Sequence, residues 1–187
     1  LLALGLDGLR EEIRSRLETA KASGGDLMLY KGMEMALDTL SSVCMNYATE
    51  AEQAGRKELA RVLRKISHEA PETFVEAMQL AWLYALISGV LNYGRMDDYL
   101  GEFLVNDYKC GRITEKEALS YVQSLWKLIA DRNTVFHSRV IIGGKGRKNE
   151  EAADAFALLA IEASRTVVEA EPQLSLRFYE GQNSLLL

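Results

Sequence analysis

The sequence predicts a mainly α-helical chain that ends in a β-α-β unit, a partial α/β barrel. Two observations carry this. Apolar residues recur every three or four positions from Leu2 to Ile129, the period of helices with one buried face. At Thr134 the pattern changes: a β-branched run, Val135 to Ile142, leads through a helical stretch to alternating residues after Pro172. Strand, helix and strand imply parallel pairing through a right-handed crossover. Both faces of a parallel sheet want cover, so further strands are expected beyond Leu187. On this reading residues 1–133 form a helical body and 134–187 the first β-α-β unit, within one domain that is incomplete at both ends.

Each element follows from local chemistry. Leu2, Leu6, Leu9, Ile13 and Leu17 form the first stripe, which Gly24 and Gly25 break. Asp26 can cap a second helix carrying Leu29, Met33, Leu37, Leu40, Cys44 and Ala48. A third, shorter helix holds Leu59, Val62 and Ile66 and stops before Pro71. Thr73 with Glu76 forms a capping box for an apolar helix from Phe74 to Ile87. Asp97 and Asp98 suit the start of the next helix, where carboxylates offset the dipole, and Gly111 closes it. Thr114 with Glu117 opens another, through Val122, Leu125, Trp126 and Ile129. Phe156, Leu159, Ala163 and Val167 mark a helix of about six turns. Leu174, Leu176 and Phe178 then alternate with Ser175, Arg177 and Tyr179, which is strand periodicity.

Composition excludes several classes of function. The 187 residues are 48% hydrophobic and 26% charged, as in a globular protein. Net charge is −5 with no basic block, so neither nucleic acid nor an anionic membrane is an expected partner. The longest apolar stretch, Ala77 to Leu91, is too short to span a bilayer and contains Gln79 and Ser88. Cys44 and Cys110 give neither a disulfide framework nor a metal spacing, which points to a reducing cytoplasm. The first residue is Leu, and the final "NSLLL" has no stop signal. Both suggest a piece of a longer chain.

The stretch "VFHSRVIIGGKGRKNEE" (135–151) has the outline of a nucleotide loop. A dinucleotide fingerprint needs three glycines, but only Gly144 and Gly146 fit, with Asn149 in the third place. No Gly-Lys-Ser/Thr is present for a P-loop. The loop reads as a tight turn with positive φ between strand and helix.

The order of four segments identifies a resemblance: "HEAPETFVEAMQLAW" (68–82), "YGRMDDYLGEFLVNDYKCGRITEKEA" (93–118), "VIIGGKGRKNEEAADAFALLAIEA" (140–163) and "EPQLSLRF" (171–178). Together they resemble the glycyl radical enzymes, the pyruvate formate-lyase-like family. "LGLDGLREEI" (4–13) is similar to the family's segment after a substrate loop, so the likeness covers essentially the whole chain. It implies a ten-stranded α/β barrel wrapped in helices. It also implies a backbone glycyl radical passed to a central cysteine and installed by an S-adenosylmethionine-dependent iron–sulfur activating enzyme. No other cofactor and no metal is expected to be bound.

The resemblance also shows what is missing. The family's Gly-Cys-Val loop and Arg-Val-x-Gly-Tyr loop are both absent here, so no catalytic residue is expected in this chain, which alone is expected to be inactive. Cys44 reads as a core residue and Cys110 as a surface one. Glycerol-type dehydratases carry a His-Ser pair on the first strand, and this sequence has His137-Ser138, the candidate substrate-binding residues. Imidazole and hydroxyl can orient the two oxygens of a diol. A carboxylate would instead want arginine, for which Arg139 and Arg177 are candidates. Alternation, however, sends neighbours on a strand to opposite faces, and a hydrogen-bonded histidine at a barrel rim is equally consistent with His137. Other polar residues read as structural. His68 and Glu69 sit at a helix end, Arg95 is an ion-pair partner in its turn, with Asp97 the candidate, and Arg147-Lys148 is a solvated loop tip.

Three readings follow. The first is part of a glycyl radical lyase or dehydratase of a small hydroxylated substrate, closer to the glycerol and diol dehydratases than to formate acetyltransferases. Its partners would be the substrate, the activating enzyme and a second copy of the chain in a homodimer. The second is a non-catalytic helical binding or assembly module derived from the family. The third is nucleotide binding at the glycine loop, which fits least well.

Overall fold

A computed structural model describes residues 1–134 and 137–186. Val135 and Phe136, the start of the expected first strand, lie outside the described residues, as does Leu187. The chain divides into two compact units, Leu1–Ile87 and Ser88–Leu187.

The first unit is helical. Helices α1 (Gly5–Ser23), α2 (Met28–Gln53), α3 (Lys57–Ile66) and α4 (Phe74–Ser88) follow the predicted order. Leu6, Leu40, Cys44, Ala48, Leu63, Ile66 and Leu80 meet in one core. Asp26 starts α2 by accepting the Met28 N–H at 2.8 Å. The apolar stripe of α2 is buried only from Leu40 onward. Leu29 and Met33, expected inside, are 59% and 42% exposed, although α1 runs alongside that part of the helix, where Arg14 pairs with Glu34. At α4 the capping box forms: Glu76 N donates to Thr73 Oγ1 at 3.3 Å, and Thr73 N donates back to Glu76 Oε2 at 3.2 Å.

The second unit is layered. Its strands are β1 (Asn92–Arg95), β2 (Arg139–Gly143) and β3 (Gln173–Arg177), and its helices α5 (Met96–Lys109), α6 (Glu115–Asp131) and α7 (Glu150–Thr166). The sheet is parallel throughout, in the order β1-β2-β3. The change of pattern at Thr134 therefore lies inside this unit, since β1 precedes it and α5 to α7 pack with the sheet or one another. The parallel pairing of β2 with β3 is as predicted, in register from Arg139↔Gln173 to Gly143↔Arg177. Two differences stand out. The strand β1 is not legible as a strand in the sequence, and α7 has 17 residues, shorter than six turns, because Val167 is already extended at φ −99°. A ten-stranded barrel is not formed by the three strands present.

Helix α5 crosses α7 at Gly101. A Cβ there would lie 2.5 Å from Ala152 O and 2.8 Å from Ala153 N, backbone atoms that cannot turn aside. Gly101→Ala is therefore expected to destabilise, because overpacking costs about 1–3 kcal/mol and outweighs the helix-propensity gain of about 1 kcal/mol. Urea unfolding would show a lower midpoint; an unchanged or raised one would mean the two helices do not pack this closely.

Candidate functional site

The two faces of the sheet differ in chemistry. On the face toward α5 and α7, Val140 and Ile142 are fully buried. Strand alternation puts His137, Arg139 and Ile141 on the other face, and register adds Asn92, Arg95, Gln173, Ser175 and Arg177. Among these Asn92, His137, Arg139 and Arg177 are exposed and the rest half-buried. The helix side is apolar, buried at Val140 and Ile142 and half-buried at Leu174 and Leu176, while the opposite face is, apart from Ile141, polar and cationic.

His137 and Ser138 are thereby separated. Ser138 is fully buried on the helix side, its hydroxyl 2.7 Å from Thr134 Oγ1. His137 is exposed on the open face. Both are gripped through their backbone by Glu171, which accepts from His137 N at 2.9 Å and Ser138 N at 3.4 Å. Its second oxygen accepts from Thr134 Oγ1 at 2.8 Å. Burial pushes the Glu171 carboxyl up, but the bonds from Thr134, Ser138 and His137 outweigh it and hold the group below the usual 4.5. A carboxyl depressed in this way contributes stability that is fully present above pH 4.5 and lost as pH falls through its folded value. Unfolding midpoints are accordingly expected to fall from neutral pH to about pH 3, and less steeply in Glu171→Gln. Parallel profiles for the two proteins would contradict this role.

The glycine loop is clasped from β1 and α5. Arg95 Nη2 donates to Gly143 O at 2.6 Å and Gly144 O at 3.2 Å, and Nη1 donates to Lys145 O at 3.0 Å. Gly143 N donates to Asp97 Oδ2 at 2.8 Å and Lys148 N to Asp98 Oδ1 at 2.7 Å. Gly143, Gly144 and Gly146 all have positive φ, as expected of a tight turn. A phosphate cradle directs N–H groups at its ligand. Here two of those N–H groups already bind carboxylates and three carbonyls bind a guanidinium, the opposite polarity. Asp97 and Asp98 occupy the first turn of α5 as predicted.

Arg95 and Arg147 differ from the sequence expectation. Arg95 hydrogen-bonds to carbonyls rather than pairing directly with Asp97. Arg147 is not at a solvated tip: its side chain is 0% exposed and reaches Asp97, Asp154 and Gly144 O, whereas Lys148 is 75% exposed and pairs with Glu102. Burial pushes the Asp97 carboxyl above its usual value, against the Gly143 N–H and the charges of Arg147 and Arg95.

The family model for pyruvate formate lyase-like proteins matches residues 1–185. The chain belongs to that family. It is 26% identical to "Probable dehydratase YbiW" of Escherichia coli, over 98% of this chain and 27% of that protein. It is 23% identical to (2S)-3-sulfopropanediol dehydratase of Klebsiella oxytoca, over 97% of this chain and 26% of that protein. A crystal structure of a glycyl radical enzyme from Archaeoglobus fulgidus shares the fold, with a TM-score of 0.78 and 23% identity over 98% of this chain and 28% of that one. The chain thus spans about a quarter of the length of the curated relatives it matches.

Cys44 is fully buried on α2, with burial pushing its thiol up to about 11, and Cys110 is exposed at the end of α5. Neither lies on a strand. Among the described residues no group of three or more His, Cys, Asp or Glu could hold a metal ion, and no helix is long and apolar enough to cross a membrane. Sequence reasoning missed Glu171, whose grip on His137 joins residues 34 apart. It could have found Gln173, which alternation with Leu174 and Leu176 places on the same face as Arg177, at the other end of β3.

Proposed function

We propose that this chain is part of a glycyl radical lyase or dehydratase acting on a small hydroxylated substrate, with its exposed sheet face lining the substrate side of a ten-stranded barrel. One observation carries the reading: the sheet has one apolar face packed with helices and one mostly polar face bearing His137. Parallel sheets are covered on both faces, and edge strands call for neighbours, so β1 and β3 suit continuation into a barrel. His137 would then orient a substrate hydroxyl, with Glu171 fixing its backbone. Ser138 would act through the Glu171 grip on the helix side rather than on the substrate.

The radical cysteine and glycine would come from outside these residues, and a separate S-adenosylmethionine iron–sulfur enzyme would install the radical. The working form would be a cytoplasmic homodimer. Dehydration is favoured over acetyl transfer because two of the curated relatives are named dehydratases.

The test is anaerobic activation of the protein encoded by the whole reading frame containing this chain. A glycyl radical signal in electron paramagnetic resonance, with loss of water from a member of a diol and hydroxy-acid panel, is expected. Turnover is expected to fall on His137→Ala. A folded protein that acquires no radical signal would contradict the proposal and favour a non-catalytic assembly role.

A further inference from the structure

The three strands carry three charged residues, Arg95, Arg139 and Arg177, and no carboxylate. Arg95 is engaged by the loop carbonyls. Arg177 stands beside that loop: a Cβ on Gly144 would lie 3.1 Å from Arg177 Cβ and 3.7 Å from Arg95 Nη2. Arg139 is different. It begins β2 at the far end of the sheet, and among the described residues its guanidinium has neither hydrogen bond nor ion pair. Its register partner on β3 is Gln173, whose side-chain amide is likewise unengaged. His137 precedes Arg139 by two residues on the same face, about 7 Å along the strand.

Once this face is enclosed, as the proposed function requires, an unpaired guanidinium there would be strongly unfavourable. It needs an anion. Its planar fork matches the two oxygens of a carboxylate or sulfonate, and a neighbouring amide adds a third donor. We infer that Arg139, with Gln173 beside it, binds an oxyanionic group of the substrate while His137 holds the hydroxyl. The substrate class is then a small hydroxylated carboxylate or sulfonate rather than a neutral diol. This inference rests on the proposed function, with the sheet face on the substrate side.

The test needs no radical. The unactivated protein of the whole reading frame is titrated calorimetrically with glycerate, 2,3-dihydroxypropane-1-sulfonate and glycerol. One of the two anions is expected to bind at least about thirtyfold more tightly than glycerol, and which one does so identifies the acid group. Arg139→Met should remove that preference and leave the glycerol affinity unchanged. Arg139→Lys should keep part of it, having the charge without the fork. Arg139→Gln replaces the Met variant if that protein does not fold. Glycerol binding as tightly as both anions, or an anion preference that survives Arg139→Met, overturns the inference and leaves the proposed function standing. Failure of all three to bind overturns the inference, while the proposed function falls only if the activated protein acquires no radical signal.

Discussion

Arg147→Met is expected to destabilise the protein by about 3–5 kcal/mol, the cost of breaking a buried ion pair from one side. The guanidinium is fully enclosed, with Nη1 at Asp154 Oδ1 and 3.5 Å from Asp97 Oδ2, and Nε donating to Gly144 O at 3.0 Å. Methionine fills much of the volume but leaves two carboxylates without their cation. Asp97 suffers most, since burial already raises its carboxyl and the Arg147 charge is one of the interactions opposing that rise. Neutralising the acids should then return part of the loss, so Arg147→Met combined with Asp154→Asn is expected to be more stable than Arg147→Met alone. Urea unfolding followed by circular dichroism measures both. Two losses that simply add would mean that the three groups do not act as a unit.

Trp126→Ala is expected to cost about the same, about 3–5 kcal/mol, by the cavity it leaves. Trp126 is 1% exposed on the inner stripe of α6, where Ala118, Val122, Leu125 and Ile129 are also buried. Its indole N–H donates to Ser164 Oγ on α7 at 2.8 Å, so truncation also removes a bond between the two helices. Trp126→Phe, which restores most of the volume, is expected to recover more than half of the loss. A Phe variant as unstable as the Ala variant would shift the weight from packing to the hydrogen bond.

The helices were legible because their signals are local. Thr114 and Glu117 predict the start of α6, and the structure has both halves of that capping box. The stripe of α6 needs no knowledge of its partner. The α2 stripe shows the limit of this reasoning: Leu29 and Met33 continue the period but no neighbour buries them. Strand β1 was illegible for a related reason. Four residues with an irregular register at Asn92/Gly94 show no alternation, and they form a strand only because β2 lies alongside.

The candidate site was half legible. Alternation alone separates His137 from Ser138, and the structure adds what occupies each face. Glu171 could not be read, because a lone Glu before Pro172 gives no hint of contacts with Thr134, His137 and Ser138. The same holds for Arg147. In sequence it joins Lys145 and Lys148 in what looks like a solvated run, and only the approach of Asp97, fifty residues earlier, turns it into a buried ion-pair centre.

On the proposed function, the face bearing His137, Arg139 and Gln173 looks into a substrate cavity. The most direct measurement is a structure of the protein encoded by the whole reading frame. New strands are expected to extend the sheet beyond β1 and β3, and these three side chains to point into an enclosed barrel interior. Finding that face packed beneath helices, or open to solvent in the complete protein, would contradict it.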